Sequence, residues 1–146
     1  MIEHPGILLP GSVIGLLGGG QFARMLVLAG HPLGFKFMVL DPDSEAPAAQ
    51  VGAEHLPCSF TDKKALGELT KQCKLVSYEF ENVDADSVEW MEQRVDLPQG
   101  SQMLRTAQHR LREKRAIRDL GIDCLLYTSD AADDMQCVDL GGRRII

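Results

Sequence analysis

Three consecutive glycines, Gly18, Gly19 and Gly20, end the apolar run Val13–Leu17 and precede an amphipathic pattern that begins at Gln21. Glycine lets a backbone approach a ligand closely and adopt positive φ. A helix start behind such a loop aims unpaired N–H groups and the positive end of its dipole at an anion, usually a phosphate. The spacing Gly18-x-Gly20-x-x-Ala23 satisfies a dinucleotide fingerprint in its Gly/Ala form, and Asp41 follows at the distance of a ribose-binding acid. The same spacing fits another phosphorylated ligand, or a tight turn that binds nothing; Asp41 before Pro42 also suits a strand-ending turn. Gln21 and Arg24 add an amide and a guanidinium in the first helical turn, within reach of a sugar or phosphate, although a solvated face is the default for Arg24.

Two further groups carry chemistry. In Tyr78-Glu79-Phe80-Glu81-Asn82, strand alternation would point Glu79 and Glu81 to one side and Phe80 to the other. Two carboxylates in one crevice suit sugar hydroxyls or an amine; a solvated strand end is the plain alternative. Further on, Arg110, Lys114 and Arg118 recur at helical spacing on one side. That side could meet a triphosphate or an acidic domain, or simply be solvated.

The elements that must position these groups alternate. Strands are expected at 13–17, 36–40, 54–58 and 75–78, and helices at 21–33, 62–72 and 84–94, with a last helical region over 101–120. Phe22, Met25, Leu26 and Ala29 share one face of the first helix. Leu66 and Leu69 point inward from the second, which Thr61 would cap, and Val88 and Met91 from the third. Pro98-Gln99-Gly100 reads as a turn, and Ser101 as the cap of the last region. Alternation at this spacing implies an α/β fold, a parallel sheet with helices on both faces. Ligands of such sheets bind at the carboxyl ends of the strands. The glycine loop, Asp41 and residues 79–82 all fall there, on three separate strands.

Composition narrows the classes. The chain has 146 residues, enough for one domain with a workable core. A net charge of −6 argues against general nucleic-acid binding, which needs surplus Lys and Arg. No apolar run approaches a membrane span, and no secretory leader is evident. Cys58, Cys73, Cys124 and Cys137 form no C-x-x-C pair and read as free thiols of a reducing cytoplasm.

Taken together, Gly18-Gly19-Gly20-Gln21-Phe22-Ala23-Arg24-Met25, Tyr78-Glu79-Phe80-Glu81-Asn82-Val83, Leu97-Pro98-Gln99-Gly100-Ser101 and Arg110-Leu111-Arg112-Glu113-Lys114 closely resemble the N-terminal domain of the 5-(carboxyamino)imidazole ribonucleotide synthase family, the ATP-grasp carboxylases of purine biosynthesis. The resemblance spans residues 10–122. The family loop continues Gln-Leu-Gly-Arg-Met, so Phe22 and Ala23 depart from it, and the Cβ of Ala23 should crowd the loop. The resemblance implies a Rossmann-like three-layer pre-ATP-grasp domain over 1–100 and a helical start of the connection to an ATP-grasp domain over 101–122. It implies that bicarbonate attacks the γ-phosphate of ATP and that the amine of 5-aminoimidazole ribonucleotide captures the carboxyl group. By the same resemblance Gly18, Gly19, Gly20, Gln21, Phe22 and Glu79 would bind the ribonucleotide, and Arg110 would reach ATP. The family places its Mg²⁺ ligands and the other ATP contacts after the point matching Ile122, where none can be matched in this sequence, and the longer enzyme would be a cytoplasmic homodimer. Residues 123–146 resemble translated sequencing-adapter read-through, so Cys124 and Cys137 carry no functional argument and the chain by itself is expected not to catalyse. The competing expectations are an NAD-binding domain using Gly18, Gly20, Ala23 and Asp41, and a stand-alone nucleotide-binding module.

Overall fold

The structure, a computed structural model, describes residues 7–79 and 82–122. The elements run β1 (Val13–Leu17), α1 (Gln21–Gly30), a 3₁₀ turn (His31–Leu33), β2 (Lys36–Leu40), a second 3₁₀ turn (Ala49–Val51), β3 (Glu54–Leu56), α2 (Lys63–Gln72), β4 (Leu75–Tyr78), α3 (Ala85–Glu92), α4 (Gly100–Ala107) and α5 (Arg110–Asp119). All four strands are parallel, in the order β3-β2-β1-β4. The α/β reading with a parallel sheet between helical layers therefore holds.

Strand alternation divides the core in two. Leu16, Phe37 and Val39 turn to one face, where Ala23 and Val27 of α1 cover them together with Ala48 and Ala53. Leu17, Met38, Leu40, Val76 and Tyr78 turn to the other, under Leu66 and Leu69 of α2, Val88 and Met91 of α3 and Leu104 of α4. Each such buried aliphatic side chain contributes roughly 1.5–3 kcal/mol. Cys73 lies in this second core, and burial, helped by Glu54, pushes its thiol up to about 12.

The inward faces of α2 and α3 match expectation; that of α1 does not. Its buried residues are Ala23, Val27 and Gly30, whereas Phe22 and Met25 are 73% and 63% exposed and Leu26 is 46% exposed. Small residues let the helix axis sit close to the sheet, and a larger side chain there would have no room: a Cβ at Gly30 would run into the ring of Phe37.

Helix ends also differ from the sequence reading. Asp62, not Thr61, caps α2, accepting from the N–H of Lys64 at 2.9 Å and of Ala65 at 3.1 Å. Thr61 pairs instead with Ser59. Asp84 caps α3 through Ser87 N–H. The region 101–120 is two helices, because His109 is extended (φ −123°, ψ 104°) and caps α5 by accepting from Arg112 N–H. Ser101 is buried within α4, and its N–H donates to Glu92. The third strand stops at Leu56 rather than Cys58.

The described residues divide into two compact units, one ending at Leu104 and the other beginning at Arg105. The second unit contains α5, none of whose residues is buried. The expectation for residues 123–146 lies outside the described residues. No helix among the described residues is long and apolar enough to cross a membrane.

Candidate functional site

From β1 the chain steps outward to β2 and β3, then returns to place β4 on the opposite side of β1. The reversal opens a crevice between the carboxyl ends of β1 and β4, the usual ligand position in open parallel sheets. Gly18 follows β1 and Glu79 follows β4, so the glycine loop and the first acid of the 79–82 stretch flank this switch point.

Each glycine of the loop has a separate physical reason. Gly18 takes φ +97°, which disfavours any residue with a Cβ, while its N–H donates to Leu40 O at 3.0 Å. Gly19 is a matter of space: a Cβ there would stand 2.8 Å from that of Ala46. Gly20 is the N-cap of α1, and a Cβ on it would collide with Glu79 Oε1.

Beyond Gly18, the N–H groups of Gly19, Gly20 and Ala23, expected to face a phosphate, meet carboxylates of the protein. Gly19 N–H donates to Asp41 Oδ2 at 2.6 Å. Gly20 N–H donates to Glu79 Oε1 at 3.0 Å and Ala23 N–H to Glu79 Oε2 at 2.5 Å. Glu79 thus does, from 56 and 59 residues away, what an N-cap side chain does locally. A negative charge there is also favoured by the helix dipole. Asp41 engages its second oxygen too, accepting from Asp43 N–H at 2.8 Å. Its carboxylate is a clasp between the loop and the 41–49 segment. The Cβ of Ala23 does not crowd the loop either, because it is absorbed in the α1 core.

Since α1 covers β1 and β2, the α1 side of β4 is left less covered. A cavity of about 250 Å³ lies there, lined by residues that include Gly18, Phe22, Leu26, Ser77, Tyr78 and Glu79. The structure therefore brings Gly18, Gly19, Gly20, Phe22, Asp41 and Glu79 together. Gln21 is exposed on the first turn of α1. Phe80 and Glu81, and with them the paired-carboxylate expectation, lie outside the described residues. Arg110 belongs to the second unit, where it opens α5 and pairs with Glu113 at 3.3 Å. Among the described residues no group of three or more His, Cys, Asp or Glu could hold a metal ion.

What the site can do follows from its acceptors. A carboxylate offers about four lone-pair directions, and the loop uses two of Glu79's. Glu79 can hold the loop and still accept from a ligand hydroxyl or amine in the cavity. Sequence reasoning missed the clasp role of Asp41; the Asp-x-Asp of an Asx turn was its only local signal.

The model of the ribonucleotide synthetase pre-ATP-grasp domain matches residues 12–108, and the chain belongs to that family. An N5-carboxyaminoimidazole ribonucleotide synthase from Bacillus subtilis is 36% identical over 122 residues, 84% of this chain and 32% of that protein. A crystal structure of the ADP complex of an N5-carboxyaminoimidazole ribonucleotide synthetase superposes with a TM-score of 0.79 at 43% identity, covering 84% of this chain and 32% of that one. An Aspergillus clavatus N5-carboxyaminoimidazole synthase in complex with ADP and 5-aminoimidazole ribonucleotide gives a TM-score of 0.68 at 36% identity, with 76% of this chain and 30% of that one covered. The chain thus spans about a third of the length of the relatives it matches.

Proposed function

We propose that this chain is the ribonucleotide-binding part of a cytoplasmic, ATP-dependent ligase of purine biosynthesis. The whole enzyme would convert 5-aminoimidazole ribonucleotide, bicarbonate and ATP to 5-carboxyaminoimidazole ribonucleotide, ADP and phosphate, as a homodimer. The observation that carries the reading is Glu79, anchored on the glycine loop and bordering the switch-point cavity. It fits a ligand rich in hydroxyl and amine donors better than a bare phosphate. The relative named for its 5-aminoimidazole ribonucleotide complex supports the same reading.

In this reading Gly18, Gly19 and Gly20 shape the floor, Gln21 and Phe22 contact the ribonucleotide from the first turn of α1, and Glu79 accepts from it. Holding the amine in fixed orientation is the main service a protein renders to such a step, because phosphoryl and carboxyl transfer depend chiefly on positioning and charge neutralisation. Arg110 would supply one cation to ATP. Its exposed pair with Glu113 contributes little and exchanges readily for a phosphate. Mg²⁺, held by the ATP-grasp region of the whole enzyme, would neutralise phosphate charge.

Titration of the ¹⁵N-labelled chain with 5-aminoimidazole ribonucleotide tests this directly. Amide shifts should move at Gly18, Gly20, Phe22 and Glu79, with Glu79→Gln weakening the response about tenfold or more. ATP should instead move amides around Arg110, and Arg110→Ala should abolish that response alone. Saturable shifts at Gly18, Gly20, Ala23 and Asp41 with NADH, and none with the ribonucleotide, would replace this reading with the dinucleotide one.

A further inference from the structure

β4 is the outer strand of the sheet, so the backbone groups on its far edge need partners from elsewhere. The first is supplied by main chain: Val76 N–H donates to Asp96 O at 2.8 Å. The next is supplied by a side chain. The amide of Gln99 accepts from Tyr78 N–H at 3.1 Å and donates to Tyr78 O at 2.9 Å. Its oxygen also accepts from the Ser77 hydroxyl at 2.8 Å. A primary amide carries the same donor–acceptor pair as a peptide group, and here it stands in for one residue of a missing neighbouring strand. The Tyr78 hydroxyl adds a bond to Gly100 O at 2.9 Å, and burial, with the nearby Glu92 charge, keeps that hydroxyl protonated beyond its usual range.

Tyr78 is the residue before Glu79. On its inner side it is in register with Leu17, the residue before Gly18. The last rung of β4 is therefore held from both sides, and the carboxylate that clasps Gly20 and Ala23 hangs from the next α-carbon. We propose that Gln99 is a positioning residue for the site: it fixes the end of β4 so that Glu79 meets the glycine loop and presents its remaining acceptors to the cavity. The effect on the ligand rests on the functional reading above; the effect on Glu79 does not.

The loop contains its own controls. Gly18 N–H is bonded to Leu40 and Gly19 N–H to Asp41, neither of which depends on Gln99. Gly20 and Ala23 N–H are bonded to Glu79. Amide shifts and hydrogen exchange would be recorded on the 146-residue chain as wild type, Gln99→Ala and Gln99→Glu. Gln99→Glu keeps the acceptor and loses the donor to Tyr78 O. Both variants should move the Gly20 and Ala23 amides and speed their exchange about tenfold, with Gly18 and Gly19 unchanged. Should Gln99→Ala fail to fold, Gln99→Glu decides alone. Unchanged Gly20 and Ala23 amides in a folded variant overturn the proposal, as does equal loss at all four amides, which would make Gln99 a general stabiliser. Affinity for 5-aminoimidazole ribonucleotide should fall about tenfold in parallel. If the wild type binds none, the functional reading fails while the amide pattern still judges Gln99.

Discussion

The two faces of the sheet are covered by different means. On one, α1 lies on Ala23, Val27 and Gly30 and leaves Phe22, Met25 and Leu28 facing outward. On the other, α2 buries Ala65, Leu66 and Leu69, and α3 buries Ala85, Val88 and Met91. Large inward residues give the second face most of its apolar burial. Small inward residues give the first face proximity instead: α1 comes close enough for its opening N–H groups to meet a carboxylate that follows β4. One face is built for stability, the other for bringing a helix start to a crevice.

The contrast can be broken most sharply from the stability side. Leu69→Ala should cost about 2–5 kcal/mol in urea unfolding of the whole chain, since Leu69 is fully buried against β1 and β4. A cost under 1 kcal/mol would mean that face is not the main core. Ala23→Leu probes proximity on the other face and should cost about 1–3 kcal/mol by overpacking, while shifting the Gly20 amide as α1 lifts from Glu79. An equal loss of stability with the Gly20 amide unmoved would detach helix proximity from loop geometry.

Cys73 sharpens the comparison through pH. Its thiol is raised from 9.0 to about 12 by burial, so above pH 9 the unfolded chain loses this proton before the folded one does. Stability should be unaffected by this group below pH 9 and fall progressively as pH rises toward 12, and Cys73→Ala should flatten that decline. An identical alkaline slope in the variant would show that Cys73 is not the group responsible. The smallest effect is expected at Met25→Ser and Leu28→Ser, within about 0.5 kcal/mol. A larger loss from either would reveal burial that the exposed face of α1 does not show.

These differences also explain what could be read from the residues. Periodicity located the sheet and the inward faces of α2 and α3 because large apolar residues there do the packing. It misled on α1, where Phe22, Met25 and Leu26 make the apolar stripe and Ala23, Val27 and Gly30 make the contact. Hydropathy weighs size, whereas close approach selects for its absence. The carboxyl-edge position of Gly18–Gly20, Asp41 and Glu79 followed from their places just after three expected parallel strands. Which partner each loop N–H would find did not, because Glu79 is 59 residues from Gly20 and only the folded sheet sets them side by side. Gln99 was legible as a turn residue and nothing more, since a side chain replacing a strand leaves no periodic trace.

The segment from Asp41 to Ala49 looks, by composition, like a polar connection open to variation. In the fold Ala46 and Ala48 are fully buried, and Ala48 N–H donates to Gly19 O at 2.9 Å. A Cβ on Gly19 would touch Ala46, so the two positions constrain each other's size. Lengthening or shortening this stretch would therefore reshape the glycine loop as directly as a substitution within it. For anyone grafting new ligand preferences onto this domain, it is the buttress of the glycine loop, to be redesigned together with Gly19 or left alone.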